Sequence, residues 1–173
     1  MRTVLFVCTG NTCRSPMAEA IARQAVEADP SLAGTGRGRA EDVFIASAGV
    51  NALDGMPTTH ETVDALRRRG IDYDGRSKRL TEQMIRKATL VIAMTASHQS
   101  AARRLVADSP EDQAKIVLLD PGGDIEDPIG MGQREYDGLA DHFGRLIPKR
   151  LKELLADRSA SPPKSSAPSR ERT

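Results

Sequence analysis

Short apolar runs alternate along this chain with longer stretches of helical spacing, and that rhythm sets the fold class before any motif is considered. Thr3 to Val7 reads as a buried first strand, and Val43 to Ser47 as a second that ends at Ala48-Gly49. Leu90 to Met94 and Ile116 to Leu119 read as a third and a fourth. Helical patterns lie between them: from Pro16, a favoured early helical residue, to about Ala28, and from about His60 to Arg69, where Gly70 stops the helix. Thr81 caps a short helix through Lys87, and another runs from Ala96 to Val106. A last helix is expected over about Glu135 to Ala156, with Pro148 kinking it or ending it early. Strands alternating with helices predict an α/β domain, a parallel sheet covered by helices. Two segments fall outside the rhythm. Asp29 to Asp42 is a polar, Gly-rich loop, and from Asp157 onward Ser, Pro and charge take over. The predicted organisation is therefore a domain over 1–156 and a disordered tail over 157–173, since the tail has too little apolar surface to offset its ordering entropy.

Composition narrows the function. At 173 residues and a net charge of +1, the chain has room for one domain and no electrostatic reason to bind nucleic acid or a membrane surface. No apolar run approaches the roughly 18 residues that a spanning helix needs. The two cysteines, Cys8 and Cys13, share one turn rather than the spacings of a secreted disulfide framework, which points to a reducing cytoplasm. Aromatic residues make up 3% of the chain, with no Trp, so little is available to grip a flat ring.

The chemistry is concentrated in Cys8-Thr9-Gly10-Asn11-Thr12-Cys13-Arg14-Ser15. This segment follows a strand and precedes a helix, where first-turn amides lack intrahelical partners and the helix end favours an anion. Gly10 permits close approach or a positive φ, and Asn11 tolerates left-handed geometry. A thiol at the start of such a loop is expected to ionise at neutral pH and act as a nucleophile. Arg14 can hold two phosphoryl oxygens with its planar fork, and Ser15 can donate a hydrogen bond to Cys8. A lone cysteine at a strand end is usually inert packing. The coincidence of strand, glycine turn, arginine, serine and helix start favours a phosphate-binding loop made by residues 9–15.

Val4 to Ala20, VLFVCTGNTCRSPMAEA, resembles the signature of low-molecular-weight protein tyrosine phosphatases and their bacterial relatives, most of all the protein-arginine-phosphatase branch. The resemblance covers roughly residues 1–156. It implies a four-stranded parallel sheet with helices on both faces and a hydrolase acting through a cysteinyl-phosphate, with no cofactor and no metal. It further implies phosphorylated proteins as partners; the sequence does not reveal whether the chain dimerises, and a monomer is favoured.

Departure of the leaving group calls for a general acid, and two Asp-Pro pairs compete for that role. Asp120-Pro121-Gly122-Gly123 ends the fourth strand and reads as a turn. Asp127 lies deeper in the loop, stiffened by Pro128, and the family's acid is likewise the Asp of an Asp-Pro pair before the last helix. Asp127 is the expected acid, with Asp124 and Glu126 as solvated neighbours and Tyr136 as a packing or capping residue.

The family divides over substrate. Phosphotyrosine enzymes usually carry Ile where this chain has Thr12, and place aromatic residues after the Asp-Pro pair. Here Ile129 and Gly130 follow, and Leu53 is the nearest apolar residue for the wall beyond the second strand. The arginine phosphatases share C-T-G-N-T-C-R-S, and in them this threonine selects the substrate. Phosphoarginine is the expected substrate, with Thr12, Ile129 and Leu53 as selectivity residues and phosphotyrosine as the alternative. A related arsenate reductase would need two further cysteines for its electron relay, and none lies beyond Cys13. A non-catalytic phosphopeptide-binding module is the remaining rival. Cys13 is either a packed residue or the partner of Cys8 in a protective disulfide. His60, His98 and His142 lack metal-ligand spacing with the cysteines, and the runs Arg67-Arg68-Arg69 and Arg76, Lys78, Arg79 read as solvated faces or a docking patch.

Overall fold

The structure, a computed structural model, describes residues 1–33 and 40–157. The expected tail beyond residue 157 and the middle of the Gly-rich loop lie outside those residues. The strands are β1 (Arg2–Cys8), β2 (Val43–Gly49), β3 (Leu90–Ala93) and β4 (Ile116–Leu118). The helices are α1 (Arg14–Ala28), α2 (His60–Arg67), α3 (Glu82–Lys87), α4 (Ala96–Leu105), α5 (Pro110–Ala114) and α6 (Gln133–Asp157). All strand pairings are parallel, in the order β2-β1-β3-β4. After β1 the chain adds β2 on one side, then crosses to add β3 on the other. The carboxyl ends of β1 and β3 therefore flank the switch point where such sheets bind ligands.

Alternation along β1 divides the core. Val4, Phe6 and Cys8 face one layer with Met17 and Ile21 of α1 and Phe143 and Ile147 of α6. Leu5 and Val7 face the other, with Ile85 of α3 and Ala102 of α4. The central strand is thus buried on both faces, which accounts for its unbroken apolar run. Parity also sends the residues after Cys8 toward alternate layers, so Thr9 emerges on the side of α4.

Two expectations need correction. Pro148 does not break α6, which continues to Asp157. Ile147, Leu151 and Leu155 are all buried and anchor the helix on both sides of the proline. Residue 144, whose carbonyl faces the proline ring, is a glycine over which Arg69 lies, and a Cβ there would run into its guanidinium. The second correction is α5, a helix absent from the expected set, although Ser109 caps it by accepting from the Asp112 amide at 3.2 Å and Pro110 occupies its first turn. Near the opposite pole from Cys8, Arg2 donates to the Leu155 carbonyl at 3.1 Å, tying the start of β1 to the end of α6. Among the described residues no helix is long and apolar enough to cross a membrane.

Gly49 ends β2 against the turn after β1. A Cβ there would stand 2.5 Å from the Thr9 carbonyl oxygen and 2.9 Å from the Asn11 amide nitrogen, so the backbone must move to accept one. Gly49→Ala is expected to cost about 1–3 kcal/mol, measured by urea unfolding, because the clash falls on main chain rather than on a flexible side chain.

Candidate active site

β1 delivers Cys8, 3% exposed, to the carboxyl end of the sheet, and the chain turns through Thr9 to Cys13 into α1. Asn11 makes the turn possible. It is the one non-glycine residue among those described with a positive φ, 55°. Gly10 does not share that conformation, and a Cβ on it would meet Thr12 Oγ1 at an ordinary 3.6 Å. The side chain of Asn11 is fully committed. Its Nδ2 donates to Ser15 Oγ at 2.9 Å and Ser47 Oγ at 2.8 Å, and its Oδ1 accepts from the Lys78 amide at 2.8 Å.

The loop's carbonyls are bonded outward. Cys8 accepts from Val50 at 2.9 Å, Thr9 from Asn51 at 3.0 Å, Thr12 from Thr59 at 2.9 Å and Cys13 from Met17 at 3.2 Å. In a trans peptide the next amide points the other way, so those of Thr9, Gly10, Cys13 and Arg14 face into the turn. The amides of Thr9 to Cys13 find no acceptor among the described residues. Cys13 caps α1 without a side-chain bond, and the first turn of α1 holds no acidic residue. Converging free amides at an uncapped helix start form an anion cradle.

Cys8 Sγ lies 3.0 Å from Ser15 Oγ. Because Ser15 already accepts from Asn11, its hydroxyl hydrogen is available to the sulfur, which is nearer than the competing Ala48 carbonyl at 3.4 Å. Arg14, 5% exposed, donates to the Ile125 carbonyl at 2.9 Å and to Asp127 Oδ2 at 3.1 Å. Asp127 is also held by the Ile129 amide on Oδ1, 3.2 Å away, yet its side chain stays 43% exposed. The loop that carries Asp127 is pinned to the end of β3 and the start of α4, since Ile125 N donates to the Met94 carbonyl at 2.8 Å and Ala96 N to Asp124 Oδ1 at 2.8 Å. Asp124 is therefore an anchor, not merely a solvated neighbour. Asp120 forms the expected turn, accepting from Gly122 N at 2.8 Å.

A family model described as "Low molecular weight phosphotyrosine protein phosphatase" matches residues 3–160. The chain belongs to that family. Its members are cysteine-dependent protein phosphatases. A Bacillus subtilis protein-arginine-phosphatase is 32% identical over 160 residues, 90% of this chain and 98% of its own length. A solved arginine phosphatase, YwlE, in a mutant form with a phosphorylated active-site serine, superposes with a TM-score of 0.79 at 32% identity. That match covers 92% of this chain and 99% of the other. A low molecular weight protein tyrosine phosphatase from T. tengcongensis gives a TM-score of 0.73 at 41% identity, covering 88% and 99%.

Around the cradle of this phosphatase lies a buried polar layer with no local signal in the sequence. Ser47 donates to Glu19 Oε2, and Arg23 pairs with Glu19 Oε1 at 2.5 Å, so a carboxylate 3% exposed is satisfied on both oxygens. Cys13 is buried and free, its thiol pushed up to about 12 mainly by desolvation despite hydrogen bonds from Tyr136 and Thr62. Tyr136 is 2% exposed, with its phenol also raised by burial, in keeping with a packing role. The selectivity candidates lie at the rim. Leu53 is 70% exposed in a loop tied to the cradle through Asn51 and Thr59, and Ile129 is 62% exposed beyond Asp127. Arg67, Arg68 and Arg69 are not merely solvated: they pair with Asp64, Asp137 and Asp141. Among the described residues no group of His, Cys, Asp and Glu is placed to hold a metal ion.

His98, bland in the sequence, belongs to the site in the structure. It is 5% exposed in the first turn of α4, with Nε2 2.8 Å from Thr9 Oγ1. Burial, then the nearby Arg14 guanidinium, lower its pKa to about 4. An unfolded chain takes up this proton near pH 6.5, whereas the folded chain refuses it until about pH 4. The stability contributed by neutral His98 is thus complete above pH 6.5 and lost as pH falls toward 4. The expected slope is at most about 1.4 kcal/mol per pH unit. Denaturant titrations across that window are expected to show a shallower slope for His98→Gln than for wild type; parallel curves would contradict this reading.

Proposed function

We propose that this chain is a protein phosphatase that removes phosphate from phosphoarginine side chains through a cysteinyl-phosphate on Cys8. The observation that carries it is the cradle itself: unbonded amides of residues 9–13 gathered above a buried sulfur that a serine hydroxyl faces. The solved relative with a phosphorylated serine at its active site supports covalent transfer to this position.

In the first step Cys8, as thiolate, attacks phosphorus in line while the bond from phosphorus to the leaving nitrogen breaks. Loop amides and Arg14 hold the phosphoryl oxygens, compensating charge with donors already in place. Arg14 rests on Asp127, so an arriving phosphoryl dianion competes for the guanidinium and releases the carboxyl group. Asp127, once freed from Arg14 and carrying a proton taken up from solvent, gives that proton to the departing nitrogen as the P–N bond breaks, then accepts one from the water that attacks the cysteinyl-phosphate. Ser15 stabilises the thiolate as it leaves.

Three features support phosphoarginine. Thr12 stands within the string shared with the arginine phosphatases. The loops flanking the cradle, 50–59 and 120–132, contain no aromatic residue to grip a phenyl ring. Asp127, 43% exposed beside the cradle, can accept from the N–H donors that a phosphorylated guanidine presents and a phenol lacks. The family's own description and the tyrosine phosphatase at 41% identity favour phosphotyrosine as the second reading.

Phosphate release by wild type and none by Cys8→Ser is the expected outcome of a malachite-green assay; equal release would remove Cys8 from the mechanism. On matched phosphoarginine and phosphotyrosine peptides, wild type is expected to favour phosphoarginine in kcat/KM. Thr12→Ile should move that ratio toward phosphotyrosine by roughly tenfold, the scale on which a pocket discriminates when an apolar group replaces a hydroxyl in its wall. If both proteins prefer phosphotyrosine, the arginine assignment fails while the chemistry stands.

A further inference from the structure

His98 and Thr9 meet across the switch point of the sheet, one just beyond β3 and the other just beyond β1. The ring lies against Thr9 of the cradle, close enough for Arg14, Asp124 and Asp127 all to act on its charge. Only one of its nitrogens is engaged. Nε2 lies 2.8 Å from Thr9 Oγ1, while Nδ1 is buried without a partner among the described residues.

That asymmetry sets the tautomer. A neutral imidazole carries one N–H and one lone pair. If Nε2 accepted from the threonine, the hydrogen would sit on Nδ1 as a buried donor with no acceptor. Orphaned buried N–H groups are rarer than under-used acceptors. The hydrogen therefore belongs on Nε2, which donates to Thr9 Oγ1 and leaves a bare lone pair at Nδ1. Thr9 then accepts from the ring, and its own hydroxyl hydrogen is left to donate elsewhere. Thr9 is exposed at the mouth of the cradle, directly after the sulfur-bearing residue.

We infer that His98 is a positioning residue that fixes the Thr9 hydroxyl as a hydrogen-bond donor to the phosphoryl group in the cradle. The inference rests on the reading that the loop of residues 9–15 holds a phosphoryl group. It adds one side-chain donor to the backbone amides and explains why a histidine is buried beside an arginine. Removing the ring hydrogen frees the hydroxyl to turn away; removing the hydroxyl leaves the ring without a purpose in binding.

The test uses the full chain, with inorganic phosphate and vanadate as competitive inhibitors. His98→Leu and Thr9→Val are each expected to raise both inhibition constants by about tenfold, the loss that one hydrogen bond to a charged group carries. The double variant should be no worse than either single one, since the two residues act through one bond. His98→Gln, which restores an N–H near the same place, should recover most of the loss. Nitrogen-15 spectra of histidine-labelled wild type at neutral pH should show a protonated Nε2 and a bare Nδ1 for His98, a readout that does not depend on any variant folding. The opposite tautomer, unchanged inhibition in His98→Leu, or additive losses in the double variant would each overturn the inference. Wild type that binds neither anion would instead overturn the phosphate-loop reading on which it rests.

Discussion

The side-chain amide of Asn11 is the interaction on which the site depends. It sits at a backbone angle that most residues resist, is 1% exposed, and connects three separate parts of the chain. Ser15 belongs to α1, Ser47 to β2 and Lys78 to the segment before α3. By taking up its own polar atoms beneath the loop, Asn11 leaves the main-chain amides above free of competition. Its bond to Ser15 also determines where that hydroxyl sends its hydrogen, so one residue shapes both the cradle and the surroundings of the sulfur. An aspartate in its place could accept but not donate, and Ser15 and Ser47 would lose their donor.

A second constraint is charge balance in a nearly dry place. Arg14 is held by a carbonyl and a carboxylate, Glu19 by a serine and an arginine, and His98 stays neutral next to Arg14. The two buried charges beside the cradle, Arg14 and Glu19, thus each have a counterpart, as buried charge requires. The cradle's amides are the exception. Together with the uncapped start of α1 they form a region of positive potential aimed at one point, which is the physical content of an anion site.

Much of this is legible in the sequence. The order of apolar runs implies the sheet, and the eight residues from Cys8 to Ser15 carry the loop, because a strand, a turn and a helix start are local features. Ser15 facing Cys8 and the turn at Asp120 follow from neighbours in the chain. What cannot be read there depends on distant contacts. The Lys78 amide reaches Asn11 from 67 residues away, and His98 reaches Thr9 from 89 residues away; no local pattern marks either meeting. His98 differs from the other histidines only in standing one helical turn past the strand that neighbours β1. Pro148 misleads for a related reason, since the buried residues that hold α6 together on both sides of it depend on other elements' surfaces as much as on its own. By contrast, α5 is announced by Ser109-Pro110-Glu111-Asp112, a local capping signal too brief to stand out from a loop.

The long last helix has a practical consequence. It begins just after the loop that carries Asp127, where Gln133 donates to the Glu61 carbonyl, and ends where Leu155 meets Arg2 at the far margin of the sheet. At 25 residues it spans about 37 Å, so its two ends lie at opposite poles of the molecule. A fluorophore, affinity handle or surface tether joined at residue 157 would start its path well away from the Cys8 sulfur, leaving the loop of residues 8–15 open to a bulky protein substrate.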